Sequence, residues 1–210
     1  MKARSRIWKA SEMLQKVLCN EAPGHQSSSE GSPGQSGHKR SQSSHQQCWV
    51  CQTPRLSRGY GGELLLIHFH TNTVGPFMVV QEFLPLLKKA ADRSEGTKLS
   101  VSRSAVVNIS AGNGSITTAT FDFPVIHAAV GYRVSKAASN MAMRMIAPAL
   151  TKSGILDIQM CPGWVKTDMG SPAAELEVSD SIAAMLKTME KLNESHQGAF
   201  IDRNGEPIPF

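Results

Sequence analysis

From residue 63 to the C-terminus the apolar residues switch repeatedly between a helical and a strand period, and no other feature of the chain constrains its fold as much. Leu64 to Leu87 keeps helical spacing and ends in Lys88-Lys89, a helix that Pro76 and Pro85 would bend or divide in two. Ala105-Val-Val-Asn-Ile109 is short and β-branched, the pattern of a buried strand. A Gly-, Thr- and Asn-rich loop follows, from Gly112 to about His127. Residues 131–152 form a second helix, 156–160 a strand stopped by Pro162-Gly163, 179–192 a third helix and 198–201 a last strand. Strands and helices alternating at this length predict an α/β fold, a parallel sheet with helices on its faces.

The first 60 residues have a different character. They carry nine basic and three acidic side chains, against thirteen and fourteen in residues 61–210, so the basic balance belongs to this segment. It is therefore no argument for nucleic-acid binding by the folded part. Residues 5–19 have a short amphipathic helical pattern, whereas 21–46 lack aromatic and β-branched residues and are expected to be disordered. Two regions are predicted: a largely disordered segment, 1–60, and a folded region, 61–210.

No apolar run reaches the roughly 18 residues of a membrane helix. Residues 1–19 lack the apolar stretch of a secretory signal; a weak mitochondrial presequence is the alternative, against which Glu12 counts. Four scattered cysteines suit a reducing compartment, so a cytoplasmic location is expected. Cys48 and Cys51 have redox-motif spacing but border the polar tract, and no second ligand pair supports a zinc site. No metal site is predicted.

Tyr132 and Lys136 are the strongest chemical signal. Four residues apart on a helix, they share a face. A phenol ordinarily titrates near pH 10; a neighbouring ammonium favours the phenolate and makes a better general acid/base at neutral pH. Taken alone the spacing is common, and the surrounding motifs give it meaning. They are Asn72-Thr-Val-Gly75-Pro, Val-Asn-Ile-Ser110, Tyr132-Arg-Val-Ser-Lys136 and Cys-Pro162-Gly163-Trp-Val-Lys-Thr167-Asp-Met.

In this order and spacing the motifs resemble the short-chain dehydrogenase/reductase family. The ending Gly-Ala-Phe-Ile-Asp-Arg-Asn-Gly-Glu-Pro-Ile-Pro-Phe is similar to its C-factor and sniffer-like carbonyl reductases. The resemblance covers about 145 residues, from near Leu65 to the end. It implies the C-terminal half of a Rossmann-type doubly wound parallel sheet, and NADP(H)-dependent reduction of a small carbonyl compound. It implies further that Tyr132 exchanges the proton at the substrate oxygen, that Lys136 holds the nicotinamide ribose and tunes Tyr132, and that Asn72 supports a water path to the lysine. Pro162, Gly163, Val165 and Thr167 match the loop passing the nicotinamide ring.

Two departures from the family pattern stand out. Where the family ends its strand in Ser-Ser, this chain has Ser110-Ala111, so Ser110 is the candidate hydroxyl and Ala111 takes the usual place. Adjacent strand residues point to opposite sides, so substitution by Ser110 requires a local bend; Ser115 or Thr117 are the alternatives. Losing such a transition-state hydrogen bond typically costs about 2.7–4 kcal/mol. Secondly, the strand, Gly-rich turn and helix that receive a pyrophosphate are not found. Gly31 to Gly37 and Gly59 to Gly62 follow no strand, and Gly112-Asn-Gly114 follows one that is the family's fifth.

The segment 1–60 thus reads as a truncation or replacement of the dinucleotide half, by splicing or by a gene-model error, leaving the 105–109 strand with an open edge. The chain is expected to be a reductase, inactive if that half is required. The alternative is a non-catalytic protein pairing with an intact short-chain reductase, as a homo- or hetero-oligomer, through the helices at 63–90 and 131–152. Neither nucleic acid nor membrane is an expected partner.

Overall fold

The computed structural model describes residues 62–94, 96–119 and 129–210. The expectations for the segment 1–60, including the Cys48–Cys51 pair, lie outside these residues. Helix α1 spans Gly62–Phe69, a π-helical turn His70–Val74, and α2 Gly75–Asp92. Strand β1 is Ala105–Ile109, α3 Val130–Lys152, β2 Leu156–Cys161, α4 Val178–Met189 and β3 Ala199–Asp202.

The sheet is α/β and parallel, in the order β1-β2-β3. Ala105 pairs with Leu156 and Ile109 with Met160; on the other side Ile158 pairs with Ala199 and Cys161 with Asp202. All six residues of β2 are buried, as a central strand covered on both faces must be. Alternation divides them: Leu156, Ile158 and Met160 meet Leu99, Leu192 and Ile201 on the face that receives Met185 and Met189 of α4. On the opposite face Val80 and Ala91 of α2 and Met143 and Leu150 of α3 pack with Ile155 and Val106. Helices therefore cover both faces, the doubly wound arrangement.

Three details differ from the sequence reading. The 63–90 helix breaks at one place, the π-turn just before Pro76, which sits in the first turn of α2 where its missing N–H is harmless. Pro85 stays inside α2; it and Gln81, four residues before it, are exposed, so water can reach the carbonyl it leaves free. The third predicted helix stops at Met189 rather than 192, and β2 runs one residue further, to Cys161. None of the helices among the described residues is long and apolar enough to cross a membrane.

Candidate active site

Helix α3 has two characters along one stripe. Its last turns bury Met143, Ala147 and Leu150, an ordinary apolar face. Its first turns bury Tyr132, Ser135, Lys136, Ser139 and Asn140, at positions i, i+3, i+4, i+7 and i+8, so the same stripe is polar where it begins. Buried polar atoms need partners, and the neighbouring elements supply them.

From the π-turn, Asn72 Nδ2 donates to Ser135 Oγ at 3.0 Å and Thr73 Oγ1 donates to the Ser135 carbonyl at 2.8 Å. Ser135 Oγ in turn donates to the Tyr132 carbonyl at 2.8 Å. The π-turn inserts its extra residue where these two adjacent side chains must both face α3. From the end of β1, Asn108 Nδ2 donates to Ser139 Oγ at 3.2 Å and Ser110 Oγ donates to Asn140 Oδ1. Ile109 contributes its carbonyl, which accepts from Lys136 Nζ at 2.8 Å.

Lys136 is 2% exposed, and its Nζ lies 5.9 Å from the centre of the Tyr132 ring. Burial pushes the ammonium down to about 8 from its ordinary 10.5, the nearby Cys161 sulfur partly opposing the shift. A lysine so placed is a cation that releases its proton near pH 8, with its Nζ over the face of the Tyr132 ring. The pair can pass a proton to or from an oxygen brought against Tyr132.

Among the sequence candidates, Asn72, Tyr132 and Lys136 are gathered into this one network. Ser110 is beside it, buried, with its hydroxyl turned onto Asn140. Ala111 is extended and half-buried, and Gly112 N–H after it donates to Cys161 Sγ at 3.1 Å. The two proposed stand-ins are engaged elsewhere: Ser115 Oγ accepts from the Thr118 N–H at 3.1 Å, and Thr117 Oγ1 donates to the Phe210 carbonyl. Gly114 allows the Gly112–Gly114 turn to lie directly on α3, since a Cβ there would stand 3.0 Å from the Lys136 backbone.

Pro162, Gly163, Val165 and Thr167 form a separate loop after β2. The Pro162 carbonyl accepts from Ser181 Oγ at 2.7 Å, and Val165 pairs with Leu176 in an isolated bridge. Lys166 forms an ion pair with Glu177, and Trp164 Nε1 donates to the Gly170 carbonyl at 2.6 Å. Gly163 has φ +86°, and a Cβ on it would fall 2.6 Å from Leu176 Cδ1. Thr167 is exposed, its Oγ1 accepting from Gly170 N–H.

Sequence reasoning missed Thr73, Ser135, Ser139 and Asn140. For Ser135, Ser139 and Asn140 a signal was available, as polar residues at i+3, i+7 and i+8 from Tyr132 where an amphipathic helix should be apolar; Thr73 had none. No group of three or more His, Cys, Asp or Glu side chains able to hold a metal occurs among the described residues.

Known proteins resemble this chain in sequence and in fold. The family described as short chain dehydrogenase matches residues 66–177. The C-signal protein of Myxococcus xanthus is 35% identical over 142 residues, covering 68% of this chain and 76% of that one. The carbonyl reductase Sniffer of D. melanogaster superposes with a TM-score of 0.72 at 35% identity, and the NADPH-bound carbonyl reductase from chicken fatty liver with 0.70 at 34%. Each match covers 77% of this chain, but the chain spans only 63% and 60% of those two proteins.

Proposed function

Since the chain belongs to the short chain dehydrogenase family, we propose that its site serves the NADP(H)-linked reduction of a small carbonyl compound. The observation that carries this reading is the buried Tyr132–Lys136 pair, with the ammonium 5.9 Å from the phenol ring and its pKa drawn down to about 8. Tyr132 gives the proton to the substrate oxygen as the carbonyl becomes an alcohol, and takes it back in the reverse direction. Lys136 favours the phenolate that remains. Asn72 and Thr73 hold Ser135, and through it the first turn of α3, so that Tyr132 keeps its place. Ser110, anchored on Asn140, fixes the end of β1 beside the reacting group.

The dinucleotide, when bound, supplies the hydride. Lys136 would hold its ribose, and Pro162, Gly163, Val165 and Thr167 would line the nicotinamide end. The buried Lys136 ammonium beside Tyr132 is a donor that fits a ribose hydroxyl. A Gly-rich turn for the pyrophosphate is not among the described residues, and in the chicken carbonyl reductase NADPH is held by a chain of which this one spans 60%. Calorimetric titration of the full chain with NADPH tests the reading. Saturable binding, with NADPH consumed on adding a small aldehyde or ketone, supports it; a folded chain that binds none overturns it. A cytoplasmic location belongs to the same proposal.

A second reading has its own support. Leu66 and Ile67 of α1, Met78 and Leu86 of α2, and Val134, Met141 and Met145 of α3 are all large, apolar and 46–70% exposed. Such surface favours pairing with another short-chain reductase through the helices at 63–90 and 131–152. Co-purification with an intact relative supports it, and a stable monomer in that relative's presence overturns it.

A further inference from the structure

A buried lysine keeps its ammonium in place only if the base of its stem is fixed. Lys136 is 2% exposed, and its Nζ bonds the Ile109 carbonyl at 2.8 Å from the end of a long, flexible side chain. Such a stem has much rotational freedom to lose, so its position depends on what it is set against. The Gly112–Gly114 turn supplies that surface. Gly114 is buried, and a Cβ on it would stand 3.0 Å from both the carbonyl carbon and the Cβ of Lys136, and 3.1 Å from Asn140 Nδ2. Its backbone is not in the left-handed region, so glycine is needed here for space alone.

The turn is tied on its other side as well. Gly112 N–H donates to Sγ of Cys161, the last residue of β2, at 3.1 Å. Within the turn Gly114 N–H donates to the Ala111 carbonyl at 2.8 Å and Ser115 N–H to the Gly112 carbonyl at 3.0 Å. Just before it, Ser110 N–H bonds the Met160 carbonyl at 2.8 Å and Ser110 Oγ bonds Asn140. The segment is thus a spacer between β2 and the first turns of α3, fastened to both.

We propose that Gly114 is a positioning residue for the proton exchange: its bare backbone is the stop against which the Lys136 stem is set, so the turn fixes where Nζ lies between the Ile109 carbonyl and the Tyr132 ring. The inference deepens the carbonyl-reductase reading and rests on it for what the lysine does. A methyl group at 114 has to displace Lys136, because the turn is held to β2 and cannot withdraw. The displacement lengthens the bond from Nζ to the Ile109 carbonyl. An acceptor further from the ammonium favours the charged form less, so the pKa falls. The titratable groups that face Lys136 are Tyr132 on its own helix and Cys161 at the end of β2; β1 offers it a neutral carbonyl, and the turn brings no charge.

The experiment compares the full-length wild type with Gly114→Ala and Gly112→Ala. The second is the control, since a Cβ at Gly112 stands 4.0 Å from Cys161 Sγ, an ordinary contact. The Lys136 ammonium is titrated by NMR on isotope-labelled lysine, and NADPH-dependent reduction of a small aldehyde is followed over the same pH range. Gly114→Ala is expected to lower the Lys136 midpoint by about half a unit or more, and to slow turnover about tenfold with little change in KM for the aldehyde. Gly112→Ala is expected to behave as wild type. An unchanged or raised midpoint in Gly114→Ala overturns the inference, and so does an equal shift in both variants. If none of the three proteins reduces the aldehyde while the midpoint still falls in Gly114→Ala, the carbonyl-reductase reading is overturned and the placement of the lysine is upheld. Should Gly114→Ala fail to fold, its combination with Cys161→Ala decides. Freed from β2, the turn can withdraw and the double variant should fold; a double variant that does not fold overturns the inference.

Discussion

Asn72 and Ser135 are 63 residues apart in the chain and joined by a buried hydrogen bond of 3.0 Å. The bond links the π-turn to the first turn of α3, so the conformation of one segment sets the position of the Tyr132 backbone in the other.

Removing that link should act on position more than on the existence of the fold. Asn72→Ala leaves the Ser135 hydroxyl without its donor, a loss of about 1–3 kcal/mol. Thermal unfolding should show a midpoint several degrees lower with an unchanged far-ultraviolet spectrum. If the protein reduces carbonyls, its turnover should fall more than its affinity for the carbonyl compound.

Tyr132→Phe deletes only the phenolic oxygen. Carbonyl reduction should drop about 10²- to 10⁴-fold, the usual contribution of a general acid, while the melting temperature stays near that of wild type. Full activity in this variant would remove Tyr132 from the proposed role. Wild-type activity should change near pH 8, where the Lys136 ammonium titrates.

Asp157 predicts a pH dependence of stability. It is fully buried as the second residue of β2, on the α3 side, its Oδ2 accepting from Gln159 Nε2 at 2.9 Å and its Oδ1 without a partner among the described residues. Burial pushes its carboxyl up to about 7 from 3.8, with the Gln159 bond opposing. The folded state therefore holds this proton more tightly than the unfolded state does. Its stabilising effect is complete below pH 3.8 and is lost as pH rises to about 7. Asp157→Asn should melt several degrees higher than wild type above pH 7, and the advantage should shrink steadily towards pH 4. A difference independent of pH would show that the residue does not titrate in this window.

At Gly163 the backbone has φ +86° and Leu176 stands where a Cβ would go. Gly163→Ala is expected to cost about 1–3 kcal/mol, from the left-handed conformation and from displacement of Leu176. Equilibrium denaturation measures it, and a cost below about 0.5 kcal/mol would mean the loop rearranges freely.

The strands were legible because a buried parallel strand needs a short β-branched run, and 105–109 and 156–160 supply one each. The site was legible where its residues formed motifs: Tyr132, Lys136 and Asn72 came from the family resemblance and meet in one network. Other features had no such signal. A π-turn depends on one inserted residue, and nothing in His-Thr-Asn-Thr-Val marks it. Pro85 reads as a helix breaker, yet exposure of its turn to water makes it tolerable. Ser135, Ser139 and Asn140 could be placed on the inward stripe of α3 by their spacing from Tyr132, but the partners that satisfy them, from β1 and the π-turn, lie far away in sequence.

The change of character along α3, polar from Tyr132 to Asn140 and apolar from Met143 to Leu150, separates two kinds of mutational freedom. Its second half grips the sheet through Met143 and Leu150 and tolerates little change in volume. Its first half is held by discrete hydrogen-bonded pairs, Asn72 with Ser135, Asn108 with Ser139 and Ser110 with Asn140, so it answers to the loss of single polar atoms rather than to volume. Paired libraries at these positions could diversify the chemistry while the anchoring half of the helix stays constant, a modularity supplied by a single continuous helix.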